Sequence, residues 1–160
     1  MFNLIQVEIP GKETLTIRNL LLDFNGTIAK DGILIAGVAE RLRKIAEEGV
    51  DICMVTADTN GTVASQCKGL PFRLEVFDGS EITERKKETA QQVGLEVTAA
   101  IGNGCNDREM FKACALSIAV IGAEGCFTAT LATSDIVVAD IRDALDLLLH
   151  KNRLIATLRP

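Results

Sequence analysis

The sequence has no apolar run of the roughly 18 to 20 residues that a membrane-spanning helix needs, and Met1 to Ile9 shows no basic leader followed by a long apolar stretch. Neither a membrane span nor a signal peptide is therefore expected. Positive charge is also short: 22 Asp and Glu stand against 17 Lys and Arg, for a formal charge of -5. That balance argues against nucleic acid or another polyanion as a partner. The five cysteines (Cys53, Cys67, Cys105, Cys114, Cys126) are odd in number and form no CxxC pair. Reduced thiols in a cytoplasmic protein explain them better than a disulfide frame or zinc site. No repeat, low-complexity tract or linker divides the chain, and the only histidine is His150.

What is present is a chain of 160 residues, 48% of them hydrophobic. A chain of this size forms one domain and buries roughly 70% of the surface its unfolded form exposes, so its core needs no staple. Residues 1–19 alternate polar and apolar around Ile9-Pro10-Gly11-Lys12, which predicts an N-terminal β-hairpin. From Leu20 onward strand-like runs alternate with amphipathic helical stretches, the pattern of an α/β fold with a mainly parallel sheet flanked by helices. Strands are expected at 18–23, 51–56, 73–77, 99–101, 116–120 and 136–138, with helices at 37–48, 60–68, 83–93, 107–114, 125–132 and 141–150. Thr27 to Ile35, centred on Asp31-Gly32, predicts a second short hairpin. A core over 20–150 is then followed by a tail, 151–160, whose Leu154, Ile155 and Leu158 are expected to dock on this domain or on a second copy.

In open α/β sheets the functional loops gather beyond the carboxyl ends of the strands. Four polar signals fall at or near such ends: Asp23-Phe24-Asn25-Gly26-Thr27, Thr56-Ala57-Asp58, Arg85-Lys86-Lys87, and Gly102-Asn103-Gly104-Cys105-Asn106-Asp107. Each alone has an ordinary structural reading as a cap, a turn or a solvated face. Their order is more specific. A carboxylate, a hydroxyl, a lysine and an Asn/Asp loop are the parts needed for phosphoryl transfer through an aspartyl phosphate.

This set resembles the haloacid dehalogenase superfamily of phosphotransferases and, more narrowly, the phosphorylation domain of P-type ATPases. Residues 23–27 are similar to the DKTGT motif, 56–58 to TGD, and 102–107 to GDGxND. The likeness continues through Phe111 to Val120 and Ala132 to Val138, and covers about Leu20 to Arg153. It implies a Rossmann-like core and a magnesium-dependent phosphatase. The intervals from Asp23 to Thr56 and from Asp58 to Lys86 are too short for a nucleotide domain or a large cap domain. Without a cap the site is expected to be open, taking a bulky phosphorylated substrate or gaining walls from another subunit of a homo-oligomer.

By this resemblance Asp23 attacks phosphorus, Thr56 donates to a phosphoryl oxygen, and Lys86 offsets charge. Lys86 has a better helix face than Lys87, with Ala90 and Val93 four and seven residues on. Gly26, Thr27, Ala57 and Asn106 are assigned to phosphate binding, with Asn106 alternatively ordering its loop. Mg2+ is assigned to Asp23, the backbone carbonyl of Asn25, Asn103 and Asp107, the last directly or through water, all hard oxygen donors.

Two positions depart from the pattern. Asn25 stands where the superfamily's phosphatases place a second Asp that protonates the leaving group and activates water, work an amide cannot do. Its loss costs about 100 to 10,000-fold in rate, so dephosphorylation is expected to be slow. Asn103 stands where GDGxND has an Asp, which lowers the expected metal affinity. Both precede glycine, so deamidation restoring Asp is a further expectation. The competing reading is a noncatalytic protein that binds phosphate or a partner. A dinucleotide-binding enzyme fits poorly, because Gly102-Asn103-Gly104 lacks the third glycine and lies late in the chain. His150 falls at a helix C-terminus, where a basic side chain meets the helix dipole favourably.

Overall fold

Apolar residues at alternate positions of each core strand divide between two faces of one sheet, and that division builds the molecule. The computed structural model describes residues 4–59, 61–77 and 79–160. Six strands, β3 (Asn19–Leu22), β6 (Asp51–Thr56), β7 (Arg73–Val76), β8 (Thr98–Gly102), β9 (Leu116–Val120) and β10 (Ile136–Val138), form a sheet in the order β10-β9-β8-β3-β6-β7. Every pairing in it is parallel. Two antiparallel hairpins stand apart from the sheet, β1 (Ile5–Val7) with β2 (Leu15–Ile17), and β4 (Ala29–Lys30) with β5 (Ile33–Leu34). The expected α/β architecture and both hairpins are present.

On one face Leu20, Leu22, Ile52, Met54, Ile101 and Ile118 pack with α1 (Val38–Glu47), α6 (Ile141–Leu149), α7 (Lys151–Leu158) and the first hairpin. Arg41 of α1 donates from Nε and Nη2 to the two carboxylate oxygens of Asp146 of α6, at 2.8 and 3.3 Å, fixing the two helices together. The predicted tail is helical in α7 and packs on the core through the fully buried Leu154. His150 is exposed at the junction of α6 and α7.

The other face carries smaller residues, Cys53, Ala100 and Ala119 beside Leu21 and Val55. These let α3 (Ile82–Val93) and α4 (Arg108–Ala113) pack closely through Ile82, Ala90, Met110 and Phe111. The short α2 (Val63–Gln66) lies within the predicted 60–68 helix, whose first residue is outside the described set. The helix expected from Gly125 starts later, as α5 (Thr128–Thr133), because residues 122–125 form a turn closed by Gly125 N–H donating to the Gly122 carbonyl at 3.0 Å. Among the described residues no helix is long and apolar enough to cross a membrane.

The chain leaves β3 for β6 and β7 on one side, then returns to β8, β9 and β10 on the other. The reversal opens a crevice between the carboxyl ends of β3 and β8, where ligands of such sheets bind. Asp23 follows β3 and Asn103 follows β8.

Candidate active site

Asp23 is held in place by its backbone N–H, which donates to the Ile101 carbonyl at 3.2 Å and carries the β3–β8 pairing one step beyond the strand. Only 7% of the residue is exposed. The cation beside it comes from α3. Residues 82, 86, 89 and 90 share the buried face of that helix, so Lys86 points inward while Lys87 is half-buried. The Lys86 ammonium lies 3.1 Å from Asp23 Oδ1, 2.6 Å from Asp107 Oδ1 and 2.7 Å from Asn106 Oδ1. One buried cation thus joins two carboxylates and an amide.

Burial pushes the Asp23 carboxyl up to about 6 from an ordinary 3.8; the Asp107 charge adds to the rise, while Lys86 opposes it. For Lys86 burial disfavours the charged form, but Asp107 and Asp23 outweigh it and hold the ammonium above the usual lysine range.

Asp107 has no exposed surface. Its Oδ2 accepts from the backbone N–H groups of Asn103 and Gly104, at 3.0 and 2.9 Å, while Oδ1 accepts from Lys86. Gly102 makes this possible, because a side chain there would run into the Asp107 carboxylate. Both Asp107 oxygens, expected at a metal directly or through water, thus accept hydrogen bonds that fix the loop and Lys86. Asn106, expected at phosphate, accepts from Lys86 through Oδ1.

Asn103 is equally committed. Its Oδ1 accepts from the Thr27 hydroxyl at 3.2 Å and its Nδ2 donates to the Gly125 carbonyl at 3.0 Å. Gly26 has φ 75 and so close an approach to this amide that a side chain would collide with it. Thr56 is buried at the tip of β6, its Oγ1 accepting from the Asp58 N–H at 3.3 Å, with Ala57 half-buried beside it. Asp58 in turn accepts from the Val63 N–H at the start of α2. Asn25 is half-buried, its backbone bridged to Ala29.

The β4–β5 hairpin is strapped from both sides. Glu124 accepts from the Asp31 N–H at 3.1 Å, Thr62 donates to the Gly32 carbonyl at 2.6 Å, and Gln66 accepts from the Leu34 N–H at 2.9 Å. A cavity of about 220 Å3 remains beside the nucleophile loop, lined by Gly26, Thr27, Lys30, Gly122, Glu124 and Arg142 among others. A larger one, about 420 Å3, lies near the amino ends of β2 and β9, away from the crevice. Sequence reasoning missed the contributions of Gly102, Glu124, Gly125 and Thr130, whose Oγ1 donates to the Gly104 carbonyl at 2.8 Å. Only Gly102 had a local signal, its place within the glycine-rich loop.

Among the described residues no three His, Cys, Asp or Glu side chains stand together as a metal site. The oxygens expected to face a cation are those of Asp23, the Asn25 carbonyl and the Asn103 amide, with Asp107 directly or through water. All are hard donors suited to magnesium.

No family model matches the chain. An uncharacterised protein of Methanocaldococcus jannaschii is 60% identical over 78 residues, 49% of this chain and 80% of that protein, so the two belong to one family. The 3-deoxy-D-manno-octulosonate 8-phosphate phosphatase of Moraxella catarrhalis, solved with magnesium, phosphate and KDO, superposes with a TM-score of 0.67 at 18% identity, over 89% of this chain and 94% of that one. The fold is that of the haloacid dehalogenases. The cobalt-bound octulosonate 8-phosphate phosphatase of Haemophilus influenzae gives a TM-score of 0.70 at 15% identity, covering 90% and 94% of the two chains. On this haloacid dehalogenase fold, Asp23 and the 102–107 loop flank the crevice where the strand order reverses.

Proposed function

We propose that the chain is a phosphohydrolase that works through a covalent phosphate on Asp23. The observation that carries this reading is the buried Lys86 ammonium joined to Asp23 and Asp107 at the switch point of the sheet. A carboxylate oxygen of Asp23 attacks phosphorus, the bond from phosphorus to the leaving oxygen breaks, and the departing oxygen takes a proton from water. A second water then attacks phosphorus, releasing phosphate and restoring Asp23. Lys86 offsets the charge that builds on Asp23 and the phosphoryl group, and Thr56 and backbone groups of the loops, those of Gly26 and Thr27 among them, orient it.

A divalent cation, magnesium in the first instance, would be held by Asp23, the Asn25 carbonyl and Asn103. When bound it would neutralise charge on the phosphoryl oxygens. Asp107 acts one step back, holding Lys86 and the 103–104 backbone. The octulosonate 8-phosphate phosphatases sharing this fold, together with the small cleft beside Gly26 and Thr27, favour a compact phosphomonoester.

Asn25 and Asn103 favour a second reading, a phosphate-binding protein that seldom turns over. A phosphomonoester screen with and without Mg2+, run beside Asp23→Ala, decides between them. The proposal requires release of phosphate and a hydroxylamine-labile phosphoenzyme, both lost in Asp23→Ala. Activity that survives in that variant removes the mechanism. Phosphate binding with no turnover of any ester supports the second reading.

A further inference from the structure

The Asn103 side chain joins three segments of the crevice through a single amide group. Its carbonyl oxygen receives the Thr27 hydroxyl and its amide N–H reaches the Gly125 carbonyl. The orientation of the amide follows from its partners. Gly125 offers only a carbonyl oxygen, so a turned amide would set oxygen against oxygen. The side chain is almost fully buried, at 9% exposure, and Thr27 is buried as well. The same segments meet again nearby: Phe127 N–H donates to the Asn103 carbonyl at 2.8 Å, and Glu124 holds the Asp31 N–H. Gly26 packs against the amide without room for a side chain.

We infer that Asn103 is a positioning residue whose amide, acting as donor and acceptor together, bolts the nucleophile loop to the 122–125 turn. Residue 103 therefore has to donate a hydrogen bond, which a carboxylate at this position cannot do. An Asp of the same shape still accepts from Thr27 but turns an oxygen toward the Gly125 carbonyl and leaves that carbonyl without its donor. A buried polar group left unsatisfied in this way costs more than the hydrogen bond itself contributed. The amide is thus a working part of the loop assembly. By fixing residues 25 to 27 it also sets the positions of the Asn25 carbonyl and of Thr27. The bolt itself does not depend on the phosphohydrolase reading; only its consequence for turnover rests on that reading.

The test is amide hydrogen exchange, followed by mass spectrometry on metal-free protein, for the wild-type chain, Asn103→Asp, Thr27→Val and Thr27→Ser. Asn103→Asp is expected to exchange at least tenfold faster in both 24–31 and 122–127, with β6 and α6 unchanged. Thr27→Val is expected to loosen 24–31, and Thr27→Ser, which keeps the hydroxyl, to restore protection there. With a substrate in hand, Thr27→Val lowers kcat at constant KM, and Thr27→Ser recovers it. Protection in Asn103→Asp equal to wild type overturns the inference, as does a Thr27→Val variant indistinguishable from wild type should Asn103→Asp fail to fold. Loss of protection in a chain that hydrolyses no ester leaves the bolt standing and removes the phosphohydrolase reading.

Discussion

Removing the charge of Asp23 should make the protein more stable at neutral pH and leave it unchanged in acid. The folded chain raises the Asp23 carboxyl from 3.8 to about 6, chiefly by burial. Ionising it therefore costs about 3 kcal/mol more in the folded chain than in the unfolded one. The sign follows from proton binding. Between these two values the unfolded chain has released the proton that the folded chain keeps, so the stability associated with Asp23 is fully present below about pH 4 and lost by about pH 6. Asp23→Asn removes that dependence. Its stability relative to wild type should rise by about 3 kcal/mol between pH 4 and pH 7, most of a pH unit's gain falling near pH 5. Urea unfolding of both proteins across this range measures the difference directly, with the slopes compared to confirm that the unfolded states match. In the proposed mechanism only the carboxylate attacks phosphorus, so kcat/KM should climb with a limb near pH 6. A stability difference that is flat from pH 4 to pH 8, or an activity limb near pH 4, refutes the claim that burial dominates over Lys86 at this carboxyl.

Three other perturbations follow from the same contacts. Lys86→Met strands two buried carboxylates and should destabilise the chain by about 3 to 5 kcal/mol in urea unfolding, whereas Lys87→Met should stay within about 0.5 kcal/mol. Gly102→Ala forces a methyl group into the Asp107 carboxylate, so it should lower both the melting temperature and phosphate affinity in calorimetry; an unchanged affinity would show that the Asp107 geometry does not matter. In the proposed mechanism Asn25→Asp supplies an acid and base, and it should shorten the lifetime of the phosphoenzyme by about 100 to 10,000-fold in rapid-quench experiments.

The fold was legible because its signals are local. Leu20 to Leu22, Ile52 to Val55 and Leu116 to Val120 are apolar runs bounded by polar turns, and burial on both faces is what makes such a run a strand of a parallel sheet. Asp31-Gly32 adopts the two positive φ angles, 52 and 78, that its composition suggested for a hairpin turn. The choice of Lys86 over Lys87 was likewise a matter of helix period, read from Ala90 and Val93. Links made across the fold were not legible. Nothing local marked the contact of Lys86 with one Asp107 oxygen, a pairing 21 residues apart, or of two backbone N–H groups with the other. The contacts of Glu124 with Asp31 and of Asn103 with Thr27 span 93 and 76 residues, so neither leaves a periodic trace. The straps on β4–β5 went unread for the same reason, because Thr62, Gln66 and Glu124 are polar residues with nothing local to mark them.

In the proposed mechanism the amides at positions 25 and 103 bear on metal and phosphate together, and this sets how strongly the site should respond to magnesium. Lys86 against Asp23 and Asp107 leaves the buried cluster with one net negative charge. Carboxylates at both amide positions would add two more. At an effective dielectric of about 20, each extra charge about 4 Å from one charge of a phosphate group is worth about 4 kcal/mol of repulsion. A bound divalent cation ordinarily offsets that repulsion, and a carboxylate at position 103 would help hold it, whereas position 25 faces it through the backbone carbonyl. Amides at both positions therefore weaken the hold at 103 and remove much of the repulsion at both. Magnesium should therefore bind in roughly the millimolar range, and phosphate affinity should change little when the metal is removed with EDTA. Calorimetry with Mg2+ alone, then with phosphate in the presence and absence of Mg2+, measures both quantities. Micromolar magnesium binding, or phosphate binding that vanishes with EDTA, would mean that the amide oxygens and backbone carbonyl hold the cation far better than their charge allows.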